Sequence, residues 1–360
     1  MKRIIISVTN DLFSDQRVLK VAHSCHNNGY KVLVIGRRNK NYQPVNLPFH
    51  YKLFRLWFNR SVLFYAEFNI RLFFVLLFSK VDILLANDTD SLLANYIASK
   101  IRRKKLIFDA HEIFPELPEL AHRPGIKRVW KIIEDWILPQ LKHCYTVCQS
   151  ISDYYNQKYN IQMKVVRNVP YCVIYNDKKL LDYSGKKIII YQGALNFGRG
   201  LEWIIDAMPL VENAVLVIVG DGGILNDLKE RVNNLNLNEK VFFLGRIAGS
   251  ELYKYTPSAD LGLCLLKNRG LNYYYSLPNR IFDYLHAGVP VLATDFPEIA
   301  NIVRNYNTGI LIKRYNPEYL AGVLNDFLNK GFDISHFAET AKQFCWENEE
   351  KILLELVVSG

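Results

Sequence analysis

A chain of 360 residues, half of them hydrophobic and 22% charged, can bury two α/β cores and is too apolar to be disordered. Its six cysteines, at 25, 144, 148, 172, 264 and 345, are scattered, and the one close pair has no matching ligand cluster. This argues for reduced thiols over a disulfide framework or a zinc site. The net charge of +10 is uneven: residues 1–180 hold 28 Lys+Arg against 14 Asp+Glu (+14), and residues 181–360 hold 17 against 21 (−4). The basic half therefore calls for an anionic partner: a phosphate-bearing substrate, a phospholipid surface or nucleic acid.

The opening MKRIIISVTND has only a short apolar run, which fits a first strand at Ile4–Val8 rather than a signal peptide. A helix follows from about Asp15 to Asn28, stopped by Gly29, and then the strand Lys31–Ile35. The intervening turn, Thr9 to Arg17, has no glycine, which removes the dinucleotide fingerprint and with it NAD or FAD at this place. Asn10 and Arg17 are candidates for ligand contact, with Ser14 or Asp15 as a helix cap.

The segment Phe49–Phe78 mixes eight Phe, two Tyr and one Trp with Arg55, Arg60 and Arg71. That mixture suits an anionic membrane interface, but a core of aromatics with solvated cations is preferred. Within it Ser61–Ser79 is very apolar, but Glu67, Asn69 and Arg71 predict a buried or interfacial helix rather than a spanning one. The protein is expected to be cytoplasmic.

Strands at Asp82–Ala86, Leu106–Phe108, Cys144–Val147 and Val165–Asn168 then alternate with helices at Ser91–Arg102, at Ile126–Leu138 and from Ser150. Wholly apolar strands alternating with helices predict a parallel sheet covered on both faces. Asp88-Thr89-Asp90 follows a strand; it could hold a divalent metal, but Asp90 capping the next helix is preferred. Asp109-Ala110-His111-Glu112 also follows a strand, where parallel sheets bind substrates.

Residues 170–186 lose the apolar period and read as an inter-domain linker. A second strand–helix series follows, with strands at Ile188–Tyr191, Val215–Val219, Val241–Leu244, Leu261–Leu265, Val289–Ala293 and Gly309–Ile312. Helices are expected at 200–208, 224–235 and 249–256, and a terminal one at about Ile334–Val358. Glycines in Tyr191–Gly200 and Gly220-Asp221-Gly222-Gly223 let backbone approach a ligand, and Arg199 supplies a cation.

The chain centres on Ser276–Glu298, a proline-started helix at about 279–286 followed by a strand. Its free N-terminal amides, with Asn279 and Arg280, would seat a diphosphate, and Asp283 one turn on would hold sugar hydroxyls. Thr294, Asp295 and Glu298 follow the strand's C-terminal end.

Taken together, TNDLFSDQRVLK, FDAHEIFPE, YQGALNFGRGLEWIIDAM, VIVGDGG and SLPNRIFDYLHAGVPVLATDFPEI resemble glycosyltransferase family 4 over nearly the whole chain. The resemblance implies an α/β GT-B fold, two Rossmann-like domains facing across a cleft. The N-terminal, acceptor-side domain would be 1–172, joined by a helix returning at about 345–360, and the nucleotide-sugar-binding domain 186–344. It implies a retaining, metal-independent transferase using a nucleotide sugar, UDP-sugar before GDP-sugar, with no cofactor and no nucleic acid. The acceptor would be a glycan or lipid-linked glycan of bacterial surface polysaccharide or lipopolysaccharide synthesis; the basic N-terminal half, read by itself, would add peripheral attachment to an anionic membrane.

On the matching positions, His111 looks like the active-site histidine, Arg199 like the diphosphate-binding cation and Asp283 like the acid that holds the ribose. The donor set is then Gly193, Arg199, Gly220, Asp221, Tyr275, Ser276, Leu277, Asn279, Arg280 and Asp283, and the acceptor set Asn10, Arg17 and Glu112. Tyr275 replaces the family's first glutamate and Ala194 a frequent arginine, so Arg280 is the candidate to restore the missing cation. Those departures leave room for a nucleotide-sugar epimerase or hydrolase, or for a non-catalytic partner of a transferase.

Overall fold

The structure is a computed structural model and describes residues 1–13, 15–39, 42, 45–59, 61–172 and 180–359. Ser14, Arg60 and the central part of the expected linker, 173–179, lie outside the described residues. The chain forms two compact units: Met1–Asn168 with Gly270–Asn272 and Trp346–Gly360, and Val169–Arg269 with Tyr273–Cys345.

The first unit is a parallel sheet of β1 (Arg3–Ser7), β2 (Lys31–Arg37), β3 (His50–Phe54), β4 (Ile83–Asn87), β5 (Lys105–Ala110), β6 (Cys144–Thr146) and β7 (Met163–Val165). The strand order is β3-β2-β1-β4-β5-β6-β7. Ile4–Ile6 and Ile83–Leu85 are buried throughout, as strands covered on both faces must be. The order reverses between β1 and β4, so the strand ends there open a crevice.

The strand β3 falls in the segment read from sequence as one aromatic stretch. It lies at the sheet edge, half buried, where an aromatic-rich strand and an aromatic-rich helix have the same composition. The closing strand ends at Val165, so Val166–Asn168 lie beyond it.

The helix Ser61–Phe78 packs Phe64, Phe68, Leu72 and Leu76 inward, against the helix Asp88–Arg102. Its charges are paired with each other and with neighbouring backbone. Glu67 accepts from the Trp57 and Phe58 amides at 2.9–3.1 Å, and Arg71 pairs with Glu67 at 2.6 Å while lying over the Trp57 ring. By length and mean hydropathy (1.7) the helix could cross a membrane. However, β3 before it and β4 after it belong to one sheet, and an 18-residue helix is about 27 Å long. Four residues, 79–82, cannot bring the chain back across a bilayer.

The second unit is a parallel sheet of β8 (Lys187–Gln192), β9 (Ala214–Val219), β10 (Val241–Gly245), β11 (Leu261–Cys264), β12 (Val291–Thr294) and β13 (Gly309–Ile312). The order is β10-β9-β8-β11-β12-β13, reversing between β8 and β11. The expected terminal helix is two helices. Phe337–Gln343 belongs to the second unit and Trp346–Val358 to the first, where Trp346 is fully buried and its Nε1 donates to Ser24 Oγ at 2.9 Å.

Candidate active site

In the second unit the site forms at the β8/β11 reversal. Gly193, just after β8, has φ +138°, and a Cβ there would lie 3.4 Å from Arg280 Nη2. Gly220, just after β9, has φ +147°, and a Cβ would lie 1.9 Å from the Gly193 carbonyl oxygen. Only glycine fits either place. Arg280 is 91% buried, with its guanidinium 4.5 Å from the Tyr191 ring centroid, beside the turn where Ala194 stands.

Arg199 lies over the Tyr273 ring. Burial pushes the Cys264 thiol up to about 11, and Arg280 and Arg199 both draw it back, so both cations act at the end of β11. Arg280 Nη1 and Arg199 Nε are buried and make no hydrogen bond. A buried N–H left without an acceptor costs about 1–3 kcal/mol, so two such groups at a strand-end crevice call for an anion.

Asp283 is half buried and 3.3 Å from Gln192 Nε2, and Gln192 Oε1 accepts from Thr256 Oγ1 at 2.8 Å. Gln192, Thr256 and Tyr191 were not singled out from sequence; the YQG run carried the signal for the first and third. Asp221 is exposed and holds the Gly222 amide at 2.8 Å. Leu277 is buried, Ser276 Oγ donates to the Tyr273 carbonyl at 2.8 Å, and Tyr275 is ring-packed on Tyr274.

The helix that follows is Arg280–His286, with Asn279 exposed at its start. Its amides are less free than its sequence suggests. Ile281 donates to the Pro278 carbonyl, and Phe282 and Asp283 to that of Asn279. Positive charge here comes from Arg280 and Arg199 more than from the helix end. Past β12, Thr294 is spent on the Leu266 backbone and Asp295 pairs with Arg304 at 2.5 Å and Lys313 at 3.3 Å. Those two are therefore removed from the ligand set.

In the first unit, the expectation that Arg17 meets an acceptor is corrected. It is 2% exposed; Nε and Nη2 donate to Asp109 at 2.8 and 2.7 Å, and Nη1 donates to the Val166 carbonyl at 2.7 Å. Arg17 clamps Asp109, which in turn positions His111: ring Nε2 is 3.0 Å from Asp109 Oδ2. Ring Nδ1 is 3.4 Å from Asp88 Oδ2, and the His111 amide donates to Asp88 Oδ1 at 2.8 Å.

Burial alone would favour the neutral imidazole, but Asp88 and Asp109 outweigh it and raise the His111 pKa to about 10. Burial likewise opposes charge on Asp109, and Arg17 and His111 reverse this, holding it at about 2. Burial dominates at Asp90, which is pushed up to about 7 although Thr9 Oγ1 donates to it. The helix begins at Asp88, not Ser91, so Asp90 is not its cap. Asp88 and Asp90 are turned to different partners, His111 and Thr9, rather than presented as a metal-holding pair. Asn10 is exposed, and Glu112 accepts from Asn272 Nδ2 at 2.9 Å, a partner that no sequence pattern marked.

A family model described as Glycosyltransferase Family 4 matches residues 15–174, and one described as Glycosyl transferases group 1 matches residues 175–344. An alpha-monoglucosyldiacylglycerol synthase of Streptococcus pneumoniae (strain ATCC BAA-255 / R6) is 30% identical over 156 residues, 42% of this chain and 33% of that protein. A chitobiosyldiphosphodolichol beta-mannosyltransferase of Candida albicans (strain SC5314 / ATCC MYA-2876) is 27% identical over 238 residues, 58% of this chain and 51% of that one. The matches thus span about a third to a half of the length of these curated relatives.

Among solved structures, sucrose-phosphate synthase from Thermosynechococcus elongatus aligns with a TM-score of 0.79 at 16% identity, covering 99% of this chain and 98% of the other. Anabaena Alr3699/HepE in complex with UDP-glucose aligns with a TM-score of 0.76 at 16% identity, with 100% of both chains covered. Likeness at that identity speaks for the fold. The chain belongs to glycosyltransferase family 4 and has the GT-B fold of two parallel-sheet α/β domains.

Proposed function

We propose that this glycosyltransferase takes a sugar from a UDP-sugar and transfers it, with retention of anomeric configuration and without a metal ion, to a glycan or lipid-linked acceptor. The setting would be bacterial surface polysaccharide or lipopolysaccharide synthesis, in the cytoplasm at the inner face of the membrane. One observation carries the donor reading: Arg280 and Arg199 meet at the β8/β11 crevice with buried, unpaired nitrogens.

Breaking the bond from the sugar's anomeric carbon to the β-phosphate oxygen sends its electron pair to the diphosphate. Fixed guanidinium charge would stabilise the developing anion. The acceptor hydroxyl forms the new bond on the same face, and its proton passes to the released phosphate oxygen. Asp283 would hold the ribose; within the first unit, Arg17 acts through Asp109, which holds the His111 ring.

The test is calorimetric titration with UDP, GDP and their glucose conjugates, followed by turnover in excess EDTA. Saturable UDP binding that Arg280→Gln weakens by about 10- to 100-fold is expected, as for loss of a charged hydrogen bond of about 1.5–3 kcal/mol. UDP binding indifferent to that substitution, or turnover abolished by EDTA and restored by magnesium or manganese, would overturn the corresponding part.

A further inference from the structure

Two cavities adjoin at the C-terminal edge of the first unit's sheet. One, of about 330 Å³, is bordered by the four carboxylates Asp88, Asp90, Glu112 and Glu119 and by Phe114 and Trp130. The other, of about 420 Å³, is bordered by Arg37, Asn59, Phe64 and Thr9. Asn10, Ser61, Tyr65 and Arg123 border both, so the two spaces are neighbours. The Thr9–Asp90 hydrogen bond stands on the boundary between them.

Their chemistry differs, although Arg123 faces both. Among the described residues no carboxylate lines the larger space, which holds two arginines amid neutral hydrogen-bonding groups. Arg37, at the end of β2, is fixed by its packing over the Phe64 ring at 5.0 Å, and its Nε is buried without a partner. Two guanidiniums, one of them preorganised and with an unsatisfied Nε, match a phosphate oxyanion better than a neutral sugar. The smaller space has the opposite fitness. Its carboxylates accept hydroxyl hydrogen bonds, and edge-packed rings of Tyr65, Phe114 and Trp130, 5.0–5.1 Å apart, give an apolar wall for a sugar face.

We propose that this paired cavity is the acceptor site and that the acceptor bears a phosphate group. The phosphate sits between Arg37 and Arg123, and the receiving hydroxyls lie over Asp90 and Glu112. The proposal rests on the transferase reading above. Its phosphate could belong to a lipid-linked sugar or to a soluble phosphorylated glycan, the same chemistry at the arginines.

The experiment titrates the full chain, saturated with UDP to fill the nucleotide site, with three probes. These are glucose 6-phosphate, glucuronic acid, and phosphatidylcholine vesicles with or without a polyprenyl phosphate sugar. Saturable binding of glucose 6-phosphate, lowered about 10- to 100-fold by Arg37→Gln or Arg123→Gln, supports the site with a soluble source. The same loss seen only with the doped vesicles supports it with a lipid source.

Arg37→Lys, which keeps the charge but loses the planar fork stacked on Phe64, should retain more of the binding than Arg37→Gln. Unchanged UDP affinity in each variant shows that the fold and the donor site are intact. Glucuronic acid binding as well as the phosphate, or probe binding indifferent to both arginine substitutions, overturns the phosphate assignment. Failure of the parent chain to bind UDP overturns the transferase reading itself, a separate result.

Discussion

His111 shows how much of a site a sequence can mark and where it stops. Its place after β5 made it a candidate, and the structure adds why it holds a proton: Asp88 and Asp109 both face it. Arg17 was marked just as readily and is a buried clamp instead, because a helix's first turn does not reveal which way a long side chain points. A pH experiment separates these roles. A histidine whose pKa rises from 6.5 to about 10 on folding adds stability that is fully present below about 6.5 and is lost as pH rises through about 10. The melting-temperature gap between the parent and His111→Gln should therefore be widest near pH 6 and narrow steadily toward pH 10; a constant gap would show the imidazole to be neutral.

Asp90 has the opposite sign, since burial raises its pKa from 3.8 to about 7. The folded state then loses stability as pH climbs from about 4 to 7, by up to about 4 kcal/mol at 1.36 kcal/mol per unit. Asp90→Asn, which resembles the protonated acid, should melt like the parent at pH 4 and higher than it at pH 8. Parallel melting curves across that range would rule out the buried, strained carboxylate.

The helix Ser61–Phe78 carries the argument at the scale of an element. Its composition left both core and membrane interface open, with core preferred, and sequence reading placed any interface on Arg55, Arg60 and Arg71. Arg71 is in fact committed to Glu67, Trp57 and the Arg55 carbonyl, so replacing it would loosen the Trp57–Phe58 loop as well as remove a charge. The outward face offers apolar groups instead: Ile70 is 59% exposed and Phe74 52%, with Leu63 and Phe78 on the same side and Trp57 nearby. An apolar stripe beside a basic half fits an anionic bilayer interface.

Ile70→Gln with Phe74→Gln should weaken binding to phosphatidylglycerol-containing vesicles by about 1–2 kcal/mol per side chain while leaving the melting temperature nearly unchanged. Vesicle binding that survives both substitutions would place the membrane contact elsewhere, and a large drop in melting temperature would mean the stripe is covered in the folded protein.

At the scale of the molecule, the two strand–helix series were legible because wholly buried parallel strands leave long apolar runs. The ownership of the chain's last residues was not, since that depends on contacts far away in sequence; only family resemblance pointed there. Trp346, Leu353, Leu356 and Val357 are all buried in the core with Ile4, Val18 and Cys25, and Glu349 holds the Arg167 amide at 2.8 Å. Lys105 Nζ caps the end of the same helix at the Leu356 carbonyl, 2.6 Å away.

Losing a buried tryptophan alone costs about 3–5 kcal/mol, against about 5–15 kcal/mol for a whole domain, and three aliphatic core residues would go with it. The second unit contributes none of that core, and Gly193, Arg199, Arg280 and Asp283 all lie within it. Truncation after Cys345 should therefore unfold the first unit, remote in sequence from the cut, and spare the nucleotide site. Hydrogen exchange should show β1, β2 and β4 unprotected while β8, β9 and β11 stay protected and UDP affinity stays within about threefold of the parent, well under the tenfold that 1.4 kcal/mol represents. Protection retained in β1 and β4 would show that the terminal helix is an ornament on a self-sufficient sheet, and loss of UDP binding would show that the second unit depends on the first.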